Sequence, residues 1–463
     1  MALSRRTILQ GAGALSLLAG RLAVPGLAQA ALVQSALAQP APAGDIPPIL
    51  FVHGNGDHAA LWLTTLWRME SNGVPRERMA AINFTDPLAR TDDKIEQAGR
   101  SSTEDQRREL AEAVRELKQK SGAARIALVG NSRGGNAIRN TIKNGGGGDI
   151  SHAVLCGTPN HGVYASDDGL GNEFNGRGPF LRGLNDGDSE VTAGTAFLTL
   201  RSDGLDKYAQ ADGRFIGKPG TPTNVTAEGP ALKGATNLML GAVDHRETAY
   251  HPRAFREIYK FIAGHEPSRI EIVPETAVRL SGLVTGTPGG VPTNRPVPGA
   301  TVDIYRVSAE TGERIGGPLH SSQTGADGRW GPAQVDPSWP LEFVLTSPDA
   351  VTTHIYRSPF PRSSEIVHLR AARPLLPADA GAGAIVLMSR PRGYFGLPRD
   401  IVLFDGKEPA DVKSGVPTDA VTTLRLAAAD VGRPVAAIFN GERIVARAWP
   451  ASENRIAVAE LTY

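Results

Sequence analysis

The chain has 463 residues, more than one hydrophobic core organises, so two or three domains are expected; 41% hydrophobic and 21% charged residues fit an ordinary globular protein. Its 49 basic and 48 acidic residues leave a net charge of +1, which excludes the footprint of a nucleic-acid or polyanion binder, so nucleic acid is not an expected partner.

In chain order, Arg5-Arg6 stand before an Ala/Leu/Gly-rich stretch, the pattern of a twin-arginine export signal. Arg21 interrupts that stretch and Pro25-Gly26 breaks it, so a membrane-spanning helix is not expected. Small-residue cleavage sites at Ala28-Gln29-Ala30 and Ala36-Leu37-Ala38 place the signal over residues 1–38 and the mature protein in the periplasm or outside the cell. The apolar run 48–52 predicts a first strand, closed by His53-Gly54-Asn55-Gly56. Leu110, Val114 and Leu117 share one face of a helix over about 107–120. A buried strand over 125–130 then leads through Asn131-Ser132-Arg133-Gly134-Gly135 into a helix carrying Ile138 and Ile142, stopped by the glycines 145–148. Strands are expected over 153–156, 196–200 and 236–243, and a last helix over 252–263 opens on Pro252 and carries Phe255, Ile258, Tyr259 and Ile262. Strands alternating with helices over 45–265 predict an α/β domain with a mostly parallel sheet covered on both faces.

Beyond Glu266-Pro267 the texture changes. Alternating runs such as 300–305 and 341–345, bounded by Gly, Pro, Asn and Asp, predict an all-β C-terminal region of one or two sandwich or barrel modules, 270–375 and 376–463. Cys156 is the sole cysteine, so no intramolecular disulfide forms, and its place in an apolar strand marks it as a small buried hydrophobe.

The residues that point to chemistry follow this framework. Gly130-Asn131-Ser132-Arg133-Gly134 matches G-x-S-x-G between a buried strand and a helix, where a tight turn exposes the serine hydroxyl above a helix N-terminus. The loop after the first strand supplies one oxyanion-hole N–H in such an arrangement and the residue after the serine the other, which assigns Asn55 and Arg133 through their backbones. With a nucleophile on this elbow the partners follow in the order acid then histidine. His53 precedes Ser132 and is disfavoured as base; His245, at the end of the strand over 236–243, is preferred to His251, which lies at a helix start. Asp203 and Asp206 both follow the strand over 196–200, and Asp206 is preferred because Tyr208 is placed to pack the loop under the histidine. Asp57, His58 and His161 lack paired ligand spacing and read as solvated loop residues, so no metal and no cofactor is expected. Trp62 and Trp67 read as packing residues, and the Gly/Asn/Asp-rich stretch 169–195 as a cap or substrate loop.

The set Val52-His53-Gly54, Gly130-Asn131-Ser132-Arg133-Gly134 and Asp244-His245 resembles secreted bacterial lipases and esterases of the α/β-hydrolase superfamily. Gly157-Thr158-Pro159-Asn160-His161-Gly162 also resembles small lipases, and the layout is similar to an archaeal lipase type with a C-terminal β-domain. The stretches 297–302 and 324–330 resemble carboxypeptidase-regulatory-like β-modules. The resemblance implies a serine hydrolase cleaving carboxylic esters with Ser132, His245 and Asp206, acting on an ester or lipid substrate with lipid-surface contact through the β region. The alternatives are the same triad on polyester, amide or thioester bonds, or a non-catalytic surface-binding protein. This chain departs from the lipase pattern in having Asn131 where many have His, and Arg133 where Met or Gln is frequent.

Overall fold

Apolar side chains alternate with helix-forming stretches up to residue 263, and they fold as that alternation dictates. The structure, a computed structural model, describes residues 46–463 apart from Gly217 and Asp349; the expected export signal lies outside the described residues. Six strands, β1 (Ile49–Val52), β2 (Met79–Ala81), β3 (Ile126–Asn131), β4 (Ile150–Cys156), β5 (Ala196–Ser202) and β6 (Thr236–Leu240), form one parallel sheet in the order β2-β1-β3-β4-β5-β6. β1 and β3 are buried along their whole length, the continuous apolar character of strands covered on both faces.

Helices α1 (Leu63–Ser71), α2 (Thr103–Ser121), α3 (Arg133–Thr141), α4 (Pro179–Leu184), α5 (Glu247–Tyr250) and α6 (Pro252–Ala263) accompany this sheet. α2 begins four residues earlier than its apolar face predicts, because Ser102 and Asp105 form a capping box: each side chain bonds the other's backbone N–H, at 3.1 and 2.9 Å. β6 ends at Leu240, short of the expected 243, because Ala242 turns into the left-handed region (φ +55°).

The β-rich remainder contains a seven-stranded sheet. In spatial order its strands are His320–Gln323, Thr301–Arg306, Leu341–Thr346, Thr352–Arg357, Arg455–Glu460, Ala384–Ser389 and Val421–Leu426. The C-terminal strand Arg455–Glu460 sits inside it, parallel to both neighbours, so the sheet runs across the boundary expected near residue 375 and the strands on either side share it. One hydrophobic core also joins this region to the helices: Trp67 packs edge-on against Phe360 at 6.0 Å and donates its indole N–H to the Ser363 carbonyl at 3.0 Å. Trp62 and Trp67 are thus core residues, 0% and 1% exposed.

Candidate active site

Ser132 ends the strand-to-helix turn with φ 53° and ψ −123°, a conformation that costs a non-glycine residue about 1–3 kcal/mol and is held by its surroundings. Those surroundings explain the flanking glycines. A Cβ on Gly130 would meet the Ile138 side chain at 2.6 Å, one on Gly134 would meet the His53 carbonyl at 2.4 Å, and one on Gly54 would touch the Ser132 Cβ at 3.0 Å. The turn therefore closes only with glycine at 130 and 134, and it brings Gly54 against the serine. The Ser132 N–H donates to the Cys156 carbonyl at 2.8 Å, pinning the turn to β4. Cys156 is wholly buried in that strand, and burial pushes its thiol pKa up.

The segment after β5 carries Asp206, and the turn after β6 carries His245. His245 Nδ1 donates to Asp206 Oδ2 at 2.8 Å, and Asp206 Oδ1 accepts the Tyr208 N–H at 2.8 Å. The Tyr208 ring stands edge-on to the imidazole at 4.6 Å, the packing that favoured Asp206. Asp203 is engaged elsewhere, accepting the Ala242 N–H at 2.7 Å and so fastening the end of β6. His251 caps α6, accepting the Arg253 N–H at 3.2 Å. His53 is enclosed between the Gly54 carbonyl at 2.8 Å and the Phe84 N–H at 3.1 Å. Asn55, Ser132 and His245 line one cavity of about 180 Å³. The Asn55 N–H has no hydrogen-bond acceptor among the described residues, while its side chain accepts the Ala89 N–H at 2.7 Å. Arg133 is the first residue of α3, whose leading N–H groups the helix itself cannot satisfy.

Asn131, where many lipases carry histidine, donates through Nδ2 to the Cys156 carbonyl at 3.1 Å and the His245 carbonyl at 3.4 Å, tying the serine turn to the histidine turn. Thr248 donates to the same His245 carbonyl at 2.7 Å.

Three features lay beyond sequence reasoning. The Arg133 side chain is fully buried and clamps Glu173 with two bonds, 2.7 and 2.6 Å, while also donating to the Pro87 and Ser101 carbonyls. Glu173 sits in the stretch expected to form a cap, and its neighbour Phe174 lines the Ser132 cavity. Asp57, expected to be solvated, is buried, and one carboxylate oxygen lies 3.8 Å from Arg246. Finally, the β region reaches the site. Tyr394 lines the Ser132 cavity, and Arg390 bonds Asp244 at 2.9 Å, Tyr250 at 2.9 Å and Glu247, holding both residues that flank His245 and Arg246.

Replacing Arg390 with Ala leaves Asp244 and Glu247 as buried, undercompensated charges, so Arg390→Ala should cost about 3–5 kcal/mol of folding stability. Urea unfolding checks this; an unchanged midpoint would refute the clamp.

The buried histidines carry a pH signature. Burial lowers the pKa of His53 from 6.5 to about 4 and that of His368 to about 3. The folded values lie below the unfolded one, so on acidification the unfolded chain takes up protons that the folded chain refuses. This stabilisation is full above about pH 6.5 and is lost as pH falls toward 4. The melting temperature should therefore fall from pH 7 to pH 5. In His53→Asn the proton uptake on unfolding at pH 5 should drop by about one, measured by calorimetry in buffers of different ionisation enthalpy.

Residues 48–189 match the family model for palmitoyl protein thioesterase, and residues 276–374 match that for the lipase C-terminal domain. The N-terminal part has an α/β-hydrolase fold. The second match covers the stretch that resembles carboxypeptidase-regulatory-like modules in sequence. Solved structures similar to this chain include a Listeria innocua gene product, 16% identical over 49% of this chain and 97% of that one, TM-score 0.35. Bacillus licheniformis lipase BlEst2 in mature form is 20% identical over 49% and 94%, TM-score 0.34. Aspergillus fumigatus lipase B is 15% identical over 49% and 54%, TM-score 0.34. No curated protein matches the chain. Among the described residues no group of three or more His, Cys, Asp or Glu side chains is gathered to hold a metal.

Proposed function

We propose that the protein is a serine hydrolase of carboxylic esters, a lipase or esterase, working through an acyl-enzyme. The observation that carries this reading is the strained Ser132 opening into a cavity that His245 also lines, with Asp206 bonded to the Nδ1 of that imidazole. Ser132 Oγ attacks the ester carbonyl carbon while His245 Nε2 takes its proton, and the Asn55 and Arg133 N–H groups receive the charge that builds on the carbonyl oxygen. The C–O bond to the alcohol then breaks and the alcohol leaves with the proton from His245. Water, deprotonated by His245, attacks the acyl carbon and releases the acid and free Ser132. Asp206 keeps the imidazole in the tautomer with its proton on Nδ1 and stabilises the imidazolium.

Turnover of 4-nitrophenyl butyrate and palmitate by the signal-free protein tests this, together with inactivation by diethyl 4-nitrophenyl phosphate and mass mapping of the adduct. The expected result is hydrolysis of at least one ester and one diethylphosphoryl group on Ser132. No hydrolysis of either and no adduct would overturn it. A thioester and an anilide in the same panel rank the bond types. Export by the twin-arginine route and contact of the β region with a lipid surface belong to the same proposal. Flotation of the full mature chain with anionic phospholipid vesicles tests the latter.

A further inference from the structure

A second cavity, of about 330 Å³, adjoins the first: His245, Tyr208 and Pro159 line both. Its walls combine apolar side chains, among them Val225, Ala227 and Leu232, with the guanidinium-bearing Arg201 near the end of β5. Ester cleavage at Ser132 makes no use of that cation.

The other cations around the site are already matched. Arg246 faces Asp57 at 3.8 Å and donates to the Pro391 carbonyl at 2.7 Å. Lys207 donates to the Thr418 carbonyl at 3.0 Å and lies 3.9 Å over the Tyr394 ring. Arg201 differs. Its Nη1 donates to the Gly229 carbonyl at 2.7 Å, while its Nη2 has no hydrogen-bond partner and the side chain forms no ion pair among the described residues. Asp206, which lines the same cavity, has both carboxylate oxygens committed to His245 and Tyr208. A half-buried cation with a spare donor, beside an apolar lining and next to the proton-transferring imidazole, is what a ligand with an apolar stem and an anionic head would complete.

We propose that Arg201 binds an anionic oxygen group of the substrate, a carboxylate or a phosphate, so that the preferred esters carry a negative charge a few bonds from the scissile carbonyl. This rests on the ester-hydrolase reading above. It makes Arg201 a specificity residue and excludes uncharged long-chain esters as the best substrates.

The test compares matched pairs. The mono-4-nitrophenyl ester of glutaric acid is set against 4-nitrophenyl pentanoate for an acyl-side carboxylate. The butyryl ester of 4-hydroxybenzoate is set against phenyl butyrate for an alcohol-side one, and butyryl glycerol 3-phosphate against monobutyrin for a phosphate. In the wild type at least one charged member should exceed its neutral partner in kcat/KM by about 10- to 100-fold, the range a charge-assisted hydrogen bond supplies, mainly through KM. The ratio should shrink in about 0.5 M NaCl, fall towards one in Arg201→Gln and recover in part in Arg201→Lys. The salt response of the wild type reads the same contact if Arg201→Gln fails to fold. Neutral esters hydrolysed at least as well as their charged partners in all three pairs would overturn this inference alone. Failure of every ester, charged and neutral, would overturn it together with the proposed function.

Discussion

Ser132→Ala should lower kcat for 4-nitrophenyl butyrate by about 10⁶, to the remnant that oxyanion donors and binding supply without a nucleophile. The effect is this large because no acyl-enzyme forms, and His245 then has no serine proton to accept. Alanine shares serine's backbone preferences, so the variant keeps the strain of φ 53° and should unfold at nearly the wild-type midpoint. Ser132→Gly separates the two contributions: it is equally inactive but loses the strain, and its folded state should gain roughly 1 kcal/mol. Stopped-flow rates beside urea titrations of the three proteins decide the matter. Wild-type turnover in Ser132→Ala would place the nucleophile elsewhere, and a less stable Ser132→Gly would show that the turn is not strained.

The serine turn was legible in the sequence because its constraints are local. Gly130 and Gly134 are dictated by contacts with Ile138 and with the His53 carbonyl, and the strand before and helix after carry their own periodic signals. The parallel sheet was legible for the same reason. α1 was not, because eight of its nine residues, Leu63 to Met69 and Ser71, are buried and no polar face marks a period of 3.6. Nor were the partners that arrive from far along the chain. Arg390 lies 146 residues from Asp244, and Glu173 lies 40 from Arg133. No local spacing announces such a pair; the one available signal was the demand of a buried arginine for a carboxylate. The sheet shared across residue 375 was hidden likewise, since an inner strand, Arg455–Glu460, comes from the end of the chain and pairs in parallel with strands from either side.

The choice between the two aspartates was the point at which sequence reasoning stayed open, and the second large effect addresses it. Asp206→Asn should reduce kcat by about 10⁴ while leaving the fold intact. The amide is nearly the shape of the carboxylate, so the Tyr208 N–H and the imidazole keep a partner at the same positions. The charge that stabilises the imidazolium is gone, and the amide can equally present its NH₂ to Nδ1, which selects the tautomer whose Nε2 carries the proton and cannot accept from Ser132. Asp203→Asn removes no group that touches the imidazole; it perturbs the bond to the Ala242 N–H, whose net worth of about 1 kcal/mol limits the loss to roughly tenfold. Measured side by side on one ester, the two variants should differ by about a thousandfold, the quotient of those losses. An Asp203→Asn enzyme slower than Asp206→Asn would mean that the hydrogen bond at 2.8 Å between Asp206 and His245 is structural and that the working acid is Asp203.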